Sequence, residues 1–314
     1  MIQVSNLTRY YGEFAALQDV SFEIREGEVV GLLGLNGAGK TTTLQILAGL
    51  LPTSGGDVTV DGIDLVAASD ELRQRIGFLP EDPPLYRDMT VEGFLRHMGR
   101  LRGMSQEALT RRMPDILELA QLKGKEQQVI ATLSHGFRKR VGIAQSVIHD
   151  PRLVLLDEPI SGLDPVQIVE MRSVVRRLGE GRMVLISSHN LPEISQTCDR
   201  ILVLRDGRLV AQGTEEQLAR RLGDARIVLT VRGEQAALEK WLQEHPKVER
   251  MDPRPVSGLY ASAVVDLEGD VREELIRDLI GAGFGVRLIE VPDDELEEIF
   301  LGLTRDDLQE EVRP

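Results

Sequence analysis

The run Gly34-Leu35-Asn36-Gly37-Ala38-Gly39-Lys40-Thr41-Thr42 constrains this chain more than any other stretch. It follows the apolar run Val29-Val30-Gly31-Leu32-Leu33 and leads into the helix-like Thr43-Leu44-Gln45-Ile46-Leu47-Ala48. The pattern G-x-x-x-x-G-K-[ST] between a strand and a helix is a phosphate loop. Its glycines let the backbone close around an anion with several N–H groups turned inward, and the start of the following helix adds partial positive charge. Lys40 would then reach the outer phosphates, and the Thr41 hydroxyl would hold magnesium. A glycine-rich turn is the plainer alternative. Lys and Thr directly after the last glycine, with a buried-strand pattern before the loop, favour a site for a nucleoside triphosphate.

Length and charge narrow the classes that remain. A chain of 314 residues predicts about two domains. Formal charge is -14, and residues 222–314 hold 22 acidic and 11 basic side chains, so -11 of it lies in the last third. That third would repel phosphate backbones, and no nucleic acid partner is expected. The single Cys198 excludes an internal disulfide and suits a reducing cytosol; it reads as a small core residue. No signal peptide is apparent, and no apolar run approaches the ~18 residues of a membrane span. Work at a membrane would require another chain to cross it.

From the start of the chain, Ile2-Gln3-Val4 and Phe22-Glu23-Ile24 alternate as half-buried strands do. Val58-Thr59-Val60 and Ile63 flank Asp61-Gly62, a strong hairpin signal. These strands predict an antiparallel layer beside the nucleotide. Tyr10 and Tyr11 fall within it as base-stacking candidates or plain edge-strand aromatics, and spacing does not choose between these. Ile76 to Tyr86, rich in proline, reads as a stiff connector into a helical insertion at about residues 82–140. There Thr90 and Ser105 read as helix N-caps, and Pro114 marks a kink or a restart.

Leu133-Ser134-His135-Gly136-Phe137 then opens another apolar helix pattern, with a hydroxyl and bare N–H groups that could meet an anion or simply cap the helix. Leu153-Val154-Leu155-Leu156-Asp157-Glu158-Pro159 is a buried strand ending in two carboxylates, a costly arrangement unless a cation or a reacting water uses them. Asp157 is suited to magnesium and Glu158 to a general base. The Ser161-Gly162-Leu163-Asp164-Pro165 loop follows, and after it a strand running from Met183 into His189. Such a lone histidine is more often structural than catalytic.

The succession of phosphate loop, Leu133–Phe137 signature, acidic strand end with Glu158, Asp164 loop and His189 resembles the ATP-binding subunit of an ATP-binding-cassette transporter over residues 1–220. The Leu-Ser-His-Gly-Phe variant, the Leu79-Pro80-Glu81 connector and the added C-terminal region resemble the bacterial multidrug, type-2 exporter branch. The resemblance implies an α/β cassette with a RecA-like core, an antiparallel β layer and a helical subdomain. It also implies Tyr11 stacked on adenine, and residues 76–86 as the Q-loop that touches a membrane partner. Family ATPases form head-to-tail dimers around two ATP molecules. Ser134, His135 and Gly136 of one subunit would meet the ATP held by Lys40 of the other, with His189 at the γ-phosphate and Asp164 coupling the sites.

The chain departs from the family pattern at four positions. Glu81 stands where many members carry Gln; a carboxylate can hold magnesium through water, but its different charge leaves that role open. His135 replaces a Gly, Phe137 a Gln, and Ile160 a Thr or Ser, while Ser134 and Gly136 keep the anion donors.

Beyond residue 220 the pattern is strand (226–231), helix (234–244), strand (248–251), strand (259–267), helix (271–280), strand (286–291), the order of a ferredoxin-like α+β domain over 221–314. An amphipathic segment at 296–303 closes it, after a solvated acidic start at 293–295. The favoured reading is the motor of an exporter, peripheral on the inner face of the cell membrane, that drives a separate permease. The alternatives are a cassette ATPase acting on nucleic acid or ribosomes, and a regulator of a membrane complex that moves no solute.

Overall fold

The computed structural model of the chain describes residues 1–65, 74–218, 226–254, 259–268 and 271–290. It divides into two compact units, Met1–Thr214 and Glu215–Pro314. The expected junction at residue 220 and the expected closing segment at 293–303 lie outside the described residues. Among the described residues no helix is long and apolar enough to cross a membrane.

Strands β1 (Ile2–Tyr11) and β2 (Phe14–Ile24) pair antiparallel, with Ile2 opposite Ile24 and Val4 opposite Phe22. Strict alternation buries all four of these side chains on one face. Strand β3 (Val29–Leu33), buried throughout, passes through the phosphate loop into α1 (Lys40–Leu47). Strands β4 (Gly55–Val60) and β5 (Ile63–Asp64) complete the first sheet in the order β2-β1-β4-β5. Asp61 (φ 51°) and Gly62 (φ 79°) turn its last hairpin. Two successive left-handed residues are what a two-residue hairpin loop of this kind demands, so the Asp-Gly pair forms the turn its sequence predicts.

Strand β6 (Ile76–Leu79) opens the connector, and helices α2 (Val91–Leu101), α3 (Gln106–Leu119) and α4 (His135–Val147) follow. Thr90 Oγ1 accepts the Gly93 N–H at 3.1 Å, and Ser105 Oγ accepts the Ala108 N–H at 3.1 Å, so both act as N-caps. Pro114 neither ends α3 nor restarts it. The buried stripe Leu109, Met113, Ile116 and Leu117 runs across it, and packing carries the helix through the missing N–H. The Tyr86 ring meets Phe94 edge-on, with centroids 5.8 Å apart, which anchors the connector on α2.

The second sheet holds the centre of the unit. Strands β7 (Leu153–Asp157), β8 (Met183–Ser188), β9 (Arg200–Arg205) and β10 (Arg208–Gly213) join β3 and β6 in the order β10-β9-β3-β8-β7-β6. All neighbours are parallel except β10, which returns through Asp206-Gly207. Helices α5 (Pro165–Gly179) and α6 (Leu191–Ser195) flank β8 in sequence. Every residue of β3, β7 and β8 is buried, as parallel strands covered on both faces must be. One core joins Val4 and Phe22 of the first sheet, Leu44 and Leu47 of α1, and Leu155 and Leu185 of the second. Helix α1 is therefore held between two sheets.

In the second unit β11 (Arg226–Arg232), α7 (Gln235–Glu244), β12 (Val248–Arg254), β13 (Tyr260–Leu267), α8 (Arg272–Gly281) and β14 (Gly285–Glu290) form an antiparallel sheet in the order β12-β13-β11-β14. That is the split-βαβ arrangement. Leu238 and Leu242 of α7 and Leu275 and Leu279 of α8 pack with Leu229 and Val265 in its core.

Because Leu44 is fully buried between the sheets, Leu44→Ala should lower the stability of the first unit by about 2–5 kcal/mol. Urea unfolding of the variant against the parent chain checks this.

Candidate functional site

The carboxyl ends of four adjacent strands, β3, β8, β7 and β6, meet at one edge of the parallel sheet. The register aligns them: Leu33 lies opposite Ser188, Ser187 opposite Asp157, and Leu156 opposite Leu79. Ligands of open α/β sheets bind outside such an edge. Here it carries the phosphate loop, His189, Asp157 with Glu158, and the connector with Glu81.

The loop has the backbone that the glycine spacing demands. Gly39 adopts φ 103°, and a Cβ there would stand 2.7 Å from the Ala16 carbonyl oxygen; at Gly34 a Cβ would stand 2.5 Å from the Leu204 carbonyl oxygen. Only glycine fits either position. No side chain caps α1 and its first turn holds no acid, so its leading N–H groups are available to an anion. The Lys40 ammonium donates to the carbonyl oxygens of Gly34 at 2.7 Å and Leu35 at 3.2 Å, and lies 3.6 Å from Glu158 Oε1. Burial pushes Lys40 below the usual lysine range, opposed by the attraction of Glu158 and Asp157. A phosphate in the loop would compete with Glu158 for this buried cation.

Glu158 is held from several sides. Its φ of 46° is left-handed, a conformation that costs a non-glycine residue on the order of 1–3 kcal/mol. The Ser187 hydroxyl accepts the Glu158 N–H at 2.9 Å and donates to Asp157 Oδ1 at 2.6 Å. The Lys139 ammonium, 3% exposed, donates to the Glu158 carbonyl oxygen at 2.6 Å. On the side chain, His189 Nδ1 lies 3.0 and 3.1 Å from the two carboxylate oxygens. A carboxylate only accepts, so this geometry puts a proton on Nδ1. Burial also pushes Lys139 below the lysine range, against attraction from Glu81, Glu158, Asp82 and Asp157 in falling order.

A cleft of about 350 Å³ brings together Tyr11, Phe14, Ala16, Asn36, Gly37, Gly39, Lys40, Thr41, Thr42, Glu81, Glu158 and His189. Tyr10 is not part of it; the Tyr11–Phe14 pair closes the β1–β2 hairpin at its mouth, and the Arg9 guanidinium stands 4.9 Å from the Tyr11 ring centre. Asp157, 2% exposed, lies just behind. Oxygen donors on Thr41, Asp157 and Glu81 suit a hard cation such as magnesium. Among the described residues no group of three or more His, Cys, Asp or Glu side chains could hold a metal by itself.

The signature residues lie outside the cleft. Ser134 caps α4 through the Phe137 N–H at 3.4 Å, and Asp164 caps α5 through the Gln167 N–H at 2.9 Å. A Cβ at Gly136 would stand 2.6 Å from Gln167 Oε1, so the starts of the two helices touch. Sequence reasoning missed Phe14, Ser187 and Lys139. For Lys139 a signal was present: it sits four residues before Ile143, on the apolar stripe of α4. Phe14 and Ser187 become recognisable only through strand pairing.

A buried parallel sheet with a phosphate loop at its carboxyl edge, an acidic strand end beside it and an antiparallel layer against α1 defines a phosphate-loop nucleotide-binding cassette. Residues 17–161 match the ABC transporter family. The ABC transporter ATP-binding protein YxlF of Bacillus subtilis is 35% identical over 304 residues, spanning 96% of this chain and 98% of that protein. The linearmycin resistance ATP-binding protein LnrL of the same organism is 31% identical over 310 residues, spanning 97% and 98%. The Nod factor export ATP-binding protein I of Ralstonia nicotianae is 35% identical over 219 residues, 69% of this chain and 68% of that protein. A cassette solved as a dimer in a post-hydrolysis state with ADP and phosphate superposes with TM-score 0.61 at 27% identity, covering 68% of this chain and 98% of its own. The chain belongs to the ATP-binding proteins of ABC transporters, and is an ATPase of that family.

Ser187→Ala would leave the Asp157 carboxylate and the Glu158 N–H without their shared hydroxyl in a buried place. The expected loss is about 1–3 kcal/mol, read as a lower urea midpoint with an unchanged slope.

Proposed function

We propose that two copies of this chain close head to tail around two Mg-ATP and drive a separate integral membrane permease, in the direction of export. The reading rests on one observation above all: Lys40, Glu158 and His189 form a single contact network inside a cleft that also holds the phosphate loop. Tyr11 would stack on the base, and residues 34–42 would wrap the phosphates. Thr41 and Asp157 would hold magnesium, with Glu81 reaching it through water; bound with ATP, that ion neutralises phosphate charge. Ser134, His135 and Gly136 of the partner would close the γ-phosphate from the far side, and Asp164 would link the two sites. Cassettes of this family dimerise and work with permeases, and relatives named for resistance and for export support the direction. The place of work would be the inner face of the cell membrane.

The chemistry follows from the chain's own groups. A γ-phosphate in the loop competes for Lys40 and draws it from Glu158. The freed carboxylate takes a proton from a water as its oxygen attacks the γ-phosphorus, and the bond to the β-phosphate oxygen breaks to leave ADP and phosphate. His189, beside that carboxylate, faces the same phosphate. Donors from both subunits exclude water and meet the developing charge.

Glu158→Gln should bind ATP yet lose about 10²- to 10⁴-fold in turnover, the range for a positioned base. Light scattering with ATP and magnesium should show the variant rise from 34.9 kDa to twice that mass, and capture from a detergent extract should retain an integral membrane protein. Near-normal hydrolysis would remove Glu158 from this role. A species that ignores ATP and retains ribosomes or DNA would favour the non-transport alternative.

A further inference from the structure

We propose that Lys139 is a positioning residue for hydrolysis: by holding the Glu158 carbonyl it keeps the Glu158 carboxylate aimed into the nucleotide cleft. The inference rests on the reading of Glu158 as the general base.

The geometry singles Lys139 out. Glu158 is the one residue of the cleft lining, other than glycine, whose backbone is left-handed. Such a conformation persists only where the surroundings over-determine it. Two side chains from different elements do so here: Ser187 of β8 takes the amide N–H at 2.9 Å, and Lys139 of α4 gives a hydrogen bond to the carbonyl at 2.6 Å. The Ser161 N–H adds a longer contact to the same carbonyl, at 3.3 Å. Rotating the peptide out of this clamp would swing the carboxylate away from Lys40 and His189.

A lysine is a costly residue to bury for the sake of one backbone carbonyl. Lys139 is 3% exposed, on a helix face it shares with Ile143, and an apolar residue would fill that slot at less cost. What distinguishes the slot is its surroundings. Glu81, Glu158, Asp82 and Asp157 all attract the ammonium, and Glu81 most strongly. Lys40 faces three of these acids, Glu158, Asp157 and Glu81, from the phosphate-loop side. Lys139 is thus the second cation of the acidic cluster, approaching from the helical insertion and not from the nucleotide. Its helix begins at the Ser134-His135-Gly136 turn, one turn earlier, so a rigid shift of α4 moves the tether with it.

The test is a double-mutant cycle on the full chain with Lys139→Met, Lys139→Gln and Glu158→Gln. Methionine keeps the apolar stem and removes the donor; glutamine keeps a donor on a shorter arm. Steady-state ATPase assays read kcat and KM, and light scattering reads the ATP-dependent dimer. Lys139→Met should lower kcat about 10-fold or more with KM for ATP changed less than about threefold, Lys139→Gln should fall between it and the parent, and the dimer should still form. In the Glu158→Gln background Lys139→Met should cost nothing further, because a residue acting through Glu158 has nothing left to position. An unchanged kcat overturns the inference, as does the same fold-loss in both backgrounds. So does a glutamine variant that no longer binds ATP, since Lys139 would then serve folding or binding alone. Full activity in Glu158→Gln would instead sink the general-base reading itself, so the two failures are told apart.

Discussion

The structure depends on a parallel sheet buried on both faces. Strands β3, β7 and β8 have no solvent-facing side, so their interiors are apolar and polar chemistry can appear only where they end. The register brings four carboxyl ends to one edge, and the polar residues of four distant segments arrive there together. Covering the sheet with α1, and α1 with the antiparallel β1–β2–β4 layer, gives the loop a rigid floor. The site is thus a consequence of how the core is closed.

Its electrostatics are unusually crowded. Two buried lysines, Lys40 and Lys139, face Asp157, Glu158 and Glu81, and burial lowers the proton affinity of both lysines despite the acids around them. Each cation also leans on backbone carbonyls, Lys40 on Gly34 and Leu35, Lys139 on Glu158. The two sets of charges face each other across the site. A bound triphosphate would rearrange one half of this balance, because Lys40 faces the loop while Lys139 stays on the helical side.

The second unit is built on different physics. Its four-stranded antiparallel sheet packs the β11 and β13 faces against α7 and α8. Among the described residues it holds no cluster of metal-ligating groups. Two relatives matched over almost the whole of their length extend across this unit as well as the cassette.

Local sequence determined a good deal by itself. The phosphate loop, the Asp61-Gly62 and Asp206-Gly207 hairpins, the Thr90, Ser105 and Ser134 caps and the acidic end of β7 are all read from short stretches, because turn chemistry, capping and a glycine's φ are properties of a few adjacent residues. Tertiary structure decided the rest. Only strand register set Ser187 between Asp157 and Glu158, put Tyr11 with Phe14 at the cleft and left Tyr10 out of it. Packing carried α3 through Pro114 without the restart that, beside a kink, the local rule predicts there. Burial turned Lys139 from a polar residue in a helix into a tether on Glu158. The Ser187–Asp157 and Lys139–Glu158 contacts join segments 30 and 19 residues apart, and no local pattern encodes such a distance.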